Sequence, residues 1–282
     1  MNSIRNFKVF LNTLSDYCVK NNYPYLSDVK FTLQSPLILS NPHNKFLVSV
    51  SDMVIPISWA QISSYFANNT LNYTVNNVSY SFTFSDGSYS CYDIINSFTN
   101  NLNGLVVTYS NITNKFTFTH DTYNFTLNFT TSGCYQELGF YNGITYSSTN
   151  RSLTSVLSID LSGSREVYIS CDNVRFNNID SRTGTISHIL DHIPIDVSNY
   201  SILRYNNITN FKCMIIDNTI NYFNIILYDD QNYIIPIKHN WSLTLEFSEV
   251  IIPNHTDFNM IAQKQNDTEA NIGDADLEDI NL

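Results

Sequence analysis

Glycine is scarce in this sequence, which has 8 glycines among 282 residues. Phosphate-binding loops need closely spaced glycines, because glycine lets the backbone approach the anion closely. None of these glycines has that spacing, so a glycine-rich nucleotide site is excluded. Proline is equally sparse, with 7 residues. Because no stretch rich in proline, glycine or serine divides the middle of the chain, one main domain is expected.

Charged residues are also few, at 14% of the chain, and the net charge of −11 is unevenly spread. Residues 267–282 carry six carboxylates and no basic residue. A general nucleic-acid surface requires clustered lysine and arginine, so this composition excludes one. Residues 1–26 are a mild exception, since Arg5, Lys8 and Lys20 are balanced only by Asp16. If the protein contacts nucleic acid or an acidic neighbour, this segment is where we expect it; a disordered terminus is the alternative.

The cysteines are odd in number and widely spaced, at Cys18, Cys91, Cys134, Cys171 and Cys213. This pattern excludes a disulfide framework and a Cys-x-x-Cys metal site. It is typical of small apolar side chains in a reducing compartment. The sequence shows no signal-peptide pattern and no apolar run long enough to cross a bilayer.

Aromatic side chains are abundant, with 19 tyrosines and 18 phenylalanines, and the polarity comes mainly from asparagine, serine and threonine. This composition is typical of a β protein with many loops and with much surface covered by protein partners.

One amphipathic helix is predicted over residues 86–104. Its apolar residues recur at three- and four-residue spacings and would line one face: Tyr92, Ile94, Ile95, Phe98 and Leu102. Ser90 and Asp93 resemble a capping box at its start, and Gly104 stands where the helix would end.

Most of the remaining sequence alternates between apolar and polar residues, as strands do. The predicted strands are residues 29–40, 45–57, 72–84, 105–109, 115–119, 125–129, 166–170, 186–195, 213–216, 222–228 and 241–247. Asn76 and Asn77 interrupt the third as a hairpin turn, and residues 229–232 would join the last two as a second hairpin. Residues 134–140 form a short apolar segment. The pattern predicts an all-β fold, a jelly-roll β-sandwich with one amphipathic surface helix and an additional β-rich region.

Three parts of the chain are predicted from these patterns. Residues 1–28 form an N-terminal arm, and residues 29–250 form the jelly-roll domain with insertions. A sub-boundary is expected near residues 146–158, which are rich in serine and threonine. Residues 251–282 form an acidic, flexible C-terminal tail.

Two pairs of residues suggest metal sites but have simpler explanations. His188 and His192 are four residues apart, as zinc ligands on a helix are, but their flanks predict a strand. On a strand they would lie too far apart to share an ion easily, and no third ligand is evident. Asp229 and Asp230 suit a calcium loop or a carboxylate pair, and they suit a turn equally well. We favour the turn.

No local motif joins a cysteine to a histidine for nucleophilic catalysis, whether the histidine is His120, His188, His192 or His239. No catalytic, cofactor-binding or metal-binding residue is therefore predicted. The protein is not expected to be an enzyme.

A set of short motifs is more specific in its order than any member is alone. After a strand that ends near Pro56 come Asp86-Gly-Ser-Tyr-Ser, Leu102-Asn-Gly, Asn114-Lys-Phe-Thr-Phe, Leu138-Gly-Phe, Val167-Tyr-Ile-Ser-Cys-Asp-Asn-Val, Ile189-Leu-Asp-His-Ile-Pro-Ile, Ile225-Ile-Leu-Tyr-Asp-Asp and Trp241-Ser-Leu-Thr-Leu-Glu-Phe. Over residues 29–248 this order resembles the minor capsid (penton) proteins of virophages and Polinton-like viruses. The chain departs from the family in lacking a glycine after Asp230 and in its acidic tail.

The resemblance implies a structural jelly-roll protein that forms homopentamers at the fivefold vertices of an icosahedral shell. Its implied partners are copies of itself, a larger major capsid protein of the double-jelly-roll type, and other minor capsid proteins. Its implied location is the virion, with assembly in the reducing interior of the host cell. The N-terminal arm and the acidic tail are the expected contact regions.

A second hypothesis is a carbohydrate-binding jelly roll or fibre head that attaches to a host surface. Such a module stacks sugars on exposed aromatic rings, for which Trp59 and Trp241 are the candidates. Trp241 lies in an alternating strand and is better explained as a core residue.

Overall fold

The computed structural model describes residues 3–99, 101–174, 179–180, 185–186, 188–208 and 211–251. These residues form nineteen strands and one helix, which in chain order are β1 Ser3–Asn12, β2 Cys18–Lys20, β3 Asp28–Ile38, β4 Asn44–Pro56, β5 Thr70–Val75, β6 Val78–Thr83, α1 Cys91–Phe98, β7 Leu105–Ser110, β8 Lys115–His120, β9 Phe125–Asn128, β10 Thr145–Ser147, β11 Ser152–Thr154, β12 Glu166–Cys171, β13 Ile179–Asp180, β14 Thr185–Ile186, β15 Ile189–Pro194, β16 Ile202–Asn206, β17 Cys213–Ile215, β18 Thr219–Tyr228 and β19 Ser242–Ile251.

Two five-stranded antiparallel sheets form a sandwich. In the first sheet the order is β1-β19-β4-β16, and β17 also pairs with β4. In the second sheet the order is β15-β12-β18-β3-β2. The chain crosses between the sheets at most connections, and its first and last strands pair with each other. This path is that of a jelly roll, which confirms the predicted fold class.

Apolar side chains from both sheets fill the space inside the sandwich. Along β4 the buried positions alternate in the first half of the strand and again near its end, as expected for a strand with one face on a core. Trp241 lies inside, with its ring edge-on to Phe31 at a centroid distance of 5.9 Å. Its indole N–H donates to the carbonyl oxygen of Leu26 at 2.8 Å, so burial leaves its polar atom satisfied.

Strand β1 lies within residues 1–28, the segment that the sequence predicts to be an N-terminal arm. It pairs with β19 along almost its whole length, and its inward side chains alternate: Phe7, Val9 and Leu11. The ring of Phe7 stacks on that of Phe247 at 5.2 Å. The exposed Phe10 hides this alternation in the sequence, because apolar residues then occur on both faces of the strand.

Every predicted strand overlaps an observed one, and the first predicted hairpin is confirmed. Asn76 and Asn77 join β5 to β6, and both have positive φ angles, 49° and 62°. Asparagine adopts this conformation more readily than most residues, which explains why the turn is visible in the sequence.

The predicted hairpin between the last two long strands is wrong. β18 lies in the second sheet and β19 in the first, so they are not paired with each other. Residues 229–232 do form a turn, but it leads back to Ile234, which bridges to Tyr228 in β18. The turn is held by Asp229, whose Oδ1 accepts the backbone N–H groups of Gln231 and Tyr233. An aspartate at a turn start has this role whether or not a hairpin follows.

The helix begins as predicted and ends earlier. Ser90 Oγ accepts the backbone N–H of Asp93 at 3.2 Å, and Asp93 Oδ2 accepts that of Ser90 at 2.9 Å. This capping box opens helix α1 at Cys91. The helix ends at Phe98, six residues before Gly104. Leu102 is still buried, because a turn rather than a further helical turn brings it inward.

Tyr92 was expected on the buried face of the helix, and it is 63% exposed. The face that packs inward holds Cys91, Ile94, Ile95 and Phe98, at spacings of three and four residues. Tyr92 lies one residue beyond that face, about 100° around the helix. The helical spacing predicted from the sequence is therefore correct, and Tyr92 is the one residue wrongly assigned to the buried face.

Residues 60–165, which lie between β4 and β12, form a second hydrophobic core and are called the insertion below. Two small sheets, of order β10-β9-β5-β6 and β11-β8-β7, enclose it together with α1. The ring of Phe98 contacts those of Phe84 and Phe118 at 5.1 and 6.0 Å. Its buried residues form a cluster separate from the sandwich core. The insertion is the additional β-rich region that the sequence predicts.

The expected sub-boundary at residues 146–158 falls inside the insertion. This segment forms most of β10 and all of β11, and Tyr146 and Leu153 pack against the second core. The insertion instead returns to the sandwich between Leu161 and Val167. The acidic tail lies outside the described residues apart from Ile251. The division into arm, domain and tail stays a prediction.

Candidate functional site

One side of the sandwich exposes apolar side chains along an open strand edge. In the described residues β1 pairs only with β19, and β2 pairs only with β3. The side chains here include Phe10 at 76% and Tyr23 at 80% exposure. This surface is called the β1 edge, and its exposed apolar residues are Ile4, Phe10, Leu14, Tyr17, Val19 and Tyr23. Such an edge offers both apolar area and unpaired backbone groups to a partner.

The opposite side of the sandwich has a second edge of the same kind. There, β16 pairs only with β4 among the described strands. This surface is called the β16 edge, and its exposed apolar residues are Tyr200, Ile202, Ile208, Phe211 and Ile216. Ile202 lies in the strand itself and is 53% exposed. The two edges differ in sequence and lie at the two ends of the first sheet.

Two of the basic residues at the β1 edge are engaged within the chain. Arg5 donates to the carbonyl oxygen of Ile38 at 3.1 Å and pairs with Glu249. The ammonium of Lys8 donates to Ser51 Oγ at 3.0 Å. Two of the three charges that made this segment a candidate for nucleic acid or an acidic neighbour therefore have internal partners.

Neither tryptophan is available to stack on a sugar. Trp59 is 5% exposed and Trp241 is 2% exposed, and both belong to the core of the sandwich. Carbohydrate-binding aromatic residues present a ring face to solvent, which these residues do not do. The assignment of Trp241 to the core is confirmed.

The two histidines that suggested a metal site have other neighbours. The ring of His192 stacks on that of Tyr168 in the adjacent strand at 5.8 Å. Nδ1 of His188 lies 3.1 Å from the carbonyl oxygen of Val174. Within the residues that the structure describes, no three histidine, cysteine, aspartate or glutamate side chains lie close enough together to hold a metal ion.

The cysteines are free thiols, and burial makes the inner ones weak acids. Burial raises the pKa of Cys171 to about 12. It also raises the pKa of Cys134 far above its usual value, and the nearby Glu137 adds to the effect. A nucleophilic cysteine needs a lowered pKa, so the environment of these two thiols does not suit catalysis.

A polar cleft separates the insertion from the jelly roll. It has a volume of about 490 Å³, and the insertion lines it with residues from 61–68, 132–142 and 160–165. The jelly roll contributes residues from 229–233, the turn after β18. Asp229 and Asp230 thus lie at this junction. Burial raises the pKa of Asp229, although hydrogen bonds from the backbone of Tyr233 and Gln231 oppose the shift.

Glu137 is the residue of the cleft that the sequence reasoning missed. It is 6% exposed, and burial raises the pKa of its carboxyl to about 7 despite a hydrogen bond from Asn68. The sequence predicts residues 134–140 as a short apolar segment. A single carboxylate between Cys134 and Leu138 was the signal that could have revealed it, because an acidic side chain is rarely buried unless it has a structural or functional role.

The described part of the chain contains no helix with the length and apolarity that a membrane span requires.

No protein-family model matches this chain, and no curated protein matches it. Among solved structures, the chain is similar to the crystal structure of a selenomethionine-labelled mavirus penton protein. The two are 15% identical, with a TM-score of 0.48, and the match covers 86% of this chain and 100% of the other.

Proposed function

We propose that the protein is a structural minor capsid protein that forms pentamers at the fivefold vertices of an icosahedral viral shell. The observation that carries the proposal is the pair of exposed apolar edges on opposite sides of one jelly-roll sandwich. Jelly rolls occur in viral capsids and in lectins, so the fold alone does not decide between these roles.

A closed ring of identical subunits requires two different surfaces on each subunit, since each copy contacts one neighbour on either side. The β1 edge and the β16 edge meet this requirement. Their contact would bury side chains such as Phe10 and Ile202, which are now exposed. It would also cover the backbone groups of both edge strands that have no strand partner among the described residues, since open edges favour aggregation.

The fivefold symmetry and the partners of the ring rest on the resemblance in motif order. That resemblance suggests a major capsid protein of the double-jelly-roll type around the ring, with other minor capsid proteins nearby. It suggests the virion as the location and the reducing interior of the host cell as the place of assembly. Five free cysteines agree with a reducing compartment.

The alternatives have less support. A carbohydrate-binding module that stacks sugars on its tryptophan rings would need those rings exposed, whereas Trp59 and Trp241 are buried. An enzyme with a cysteine nucleophile would need a thiol of lowered pKa, whereas burial raises the pKa of Cys134 and Cys171.

Light scattering behind a sizing column tests the proposal on the purified full chain. We expect the mass of a pentamer of the 32.3 kDa subunit. If the isolated chain is a monomer, mixing it with the major capsid protein should produce vertices that contain it. A stable trimer, or a monomer that such shells exclude, would contradict the proposal.

A further inference from the structure

The cleft between the insertion and the jelly roll contains two buried polar atoms without a hydrogen-bond partner among the described residues. They are Oε2 of Glu137 and Nε2 of Gln61, and each residue is 6% exposed. Both residues line the cleft. Burying an acceptor or a donor without a partner is unfavourable, and folded proteins seldom do so. A ligand that supplies both partners would relieve that cost.

Asn68 holds these two residues in place. Its Nδ2 donates to Oε1 of Glu137 at 2.6 Å and to the backbone carbonyl oxygen of Gln61 at 2.9 Å. Oε1 of Gln61 accepts the backbone N–H of Tyr89 at 3.2 Å. Oε1 of Glu137 and Oε1 of Gln61 therefore already accept hydrogen bonds, which leaves Oε2 of Glu137 and Nε2 of Gln61 for a ligand.

The surroundings favour a cation. Four acidic residues line the cleft, Glu137, Asp160, Asp229 and Asp230, and one basic residue, Arg165. Arg165 forms an ion pair with Asp160 and is thereby engaged away from Glu137. The carboxylates outnumber the single cation, so the potential in the cleft is negative. Burial raises the pKa of Glu137, and the negative charge of Asp160 adds to the effect.

The arrangement suits an organic cation better than a metal ion. Calcium and magnesium need several oxygen ligands around one point. Among the described residues, no three acidic side chains lie close enough together to surround one ion. An ammonium group needs only hydrogen-bond acceptors, and one buried carboxylate oxygen is a strong one. The free N–H of Gln61 requires an acceptor, which the ligand has to carry near its ammonium group.

We propose that the cleft binds a primary ammonium group that carries an oxygen acceptor close to it. The ammonium donates to Oε2 of Glu137, and the oxygen accepts from Nε2 of Gln61. Two sources share this chemistry: a free amino alcohol, and the first residue of a peptide, whose α-ammonium lies beside its carbonyl oxygen. A volume of about 490 Å³ admits either. The site does not depend on the proposed capsid role.

Calorimetric titration of the full chain at pH 7.5, in a buffer without primary amines, tests the site. The probes are ethanolamine for a free amino alcohol and alanyl-alanine amide for a peptide. Tetramethylammonium is the control for charge, because it has no N–H donor, and propylamine is the control for the oxygen. We expect saturable binding of at least one probe, weaker binding of propylamine and no binding of tetramethylammonium. Which probe binds identifies the source.

Variants of the chain locate the site. We expect Glu137→Gln to weaken binding about tenfold or more, since a charge-assisted hydrogen bond is lost. Gln61→Leu should weaken the binding of ethanolamine and leave the binding of propylamine unchanged. The matched control is Asp121→Asn, which removes an equal charge from an exposed position of the insertion outside the cleft. Thermal unfolding of each variant shows that it is folded.

Three results would overturn the proposal: binding of tetramethylammonium as strong as that of ethanolamine, an affinity unchanged in folded Glu137→Gln, or no heat with either probe. The oligomer mass of the same samples is an independent measurement. A pentamer without amine binding would reject this site alone, whereas amine binding by a chain that never enters a ring would reject only the capsid role.

Discussion

The guanidinium of Arg5 lies 3.2 Å from Oε2 of Glu249 and thereby ties the first strand of the jelly roll to the last. Glu249 is fully buried, and its Oε1 accepts hydrogen bonds from Asn44 Nδ2 and from the backbone of Ser40, both at 2.7 Å. Burial alone would raise the pKa of this carboxyl. The hydrogen bonds and the charge of Arg5 outweigh burial, so its pKa lies below the usual value.

Glu249→Gln should lower the free energy of unfolding by roughly 2–3 kcal/mol at pH 7, because it removes charge-assisted hydrogen bonds from a buried site. A group whose folded pKa is lowered stabilises the protein above its unfolded pKa, and this contribution disappears as the pH falls through the folded pKa. The difference between the two proteins should therefore shrink in acid. Urea unfolding at several pH values measures it.

The control for this variant is Glu246→Gln, three residues earlier on the same strand. Glu246 pairs with Lys212 at 3.4 Å where both side chains are partly exposed. Its loss should cost less than about 1 kcal/mol. Equal losses of unfolding free energy in the two variants would show that the buried pair of Glu249 with Arg5 stabilises the protein no more than the exposed pair of Glu246 with Lys212.

Phe10→Lys and Ile202→Lys should each prevent formation of the proposed ring without unfolding the subunit, since both side chains are exposed on a sandwich edge. Light scattering should find monomers for each variant alone. Mixed in equal amounts, they should form dimers, because each still has the edge that the other needs. Ile112→Lys, on the insertion and 92% exposed, should leave the ring intact.

Glu137→Gln should stabilise the protein more as the pH rises. Burial raises the pKa of Glu137 from 4.5 to about 7, so between these values the folded protein keeps a proton that the unfolded chain has lost. Wild-type stability therefore falls over this range, by at most about 3 kcal/mol, and the variant lacks that loss. Urea unfolding at pH 4.5 and pH 8 compares the two. A difference independent of pH would contradict the raised pKa.

Gly133→Ala should unfold or severely destabilise the insertion, by roughly 4 kcal/mol or more. A Cβ at this position would lie 1.7 Å from the backbone oxygen of Ala67, and neither segment can move aside cheaply. Gly143→Ala is the matched control, since its Cβ would meet nothing within 4 Å. With a φ of +75° it should cost only about 1–2 kcal/mol. Thermal unfolding ranks the two variants.

The alternation of apolar and polar residues was the most informative signal in the sequence. It did not reveal strands that carry apolar residues on both faces or strands that are too short to show the pattern. Phe10 is exposed on β1, and the same exposure that suits it to an interface hides the strand from pattern recognition. β16 escaped detection as well, since five residues with exposed ends carry too little pattern. The capping box of Ser90 and Asp93 was readable because its contacts are local.

Long-range relationships could not be predicted from one sequence. Nothing near residues 229–232 shows that β18 and β19 lie in different sheets, because a turn looks alike in both cases. The cleft could not be predicted from the sequence either, since Glu137 and Asp229 are far apart in the chain and line one cleft only because of where the insertion lies. The expected lack of catalytic residues stays a prediction.

The pairing of β1 with β19 sets the order in which the protein can fold as it is synthesised. Ser3 lies opposite Val250, so the first strand has no partner until almost the entire described chain has left the ribosome. The small sheets of the insertion draw their strands from residues 70–154 and need no later segment. The insertion is therefore able to fold first, and the sandwich closes last. In the proposed ring, the β1 edge would then exist only on a finished subunit, which would keep nascent chains out of assembly.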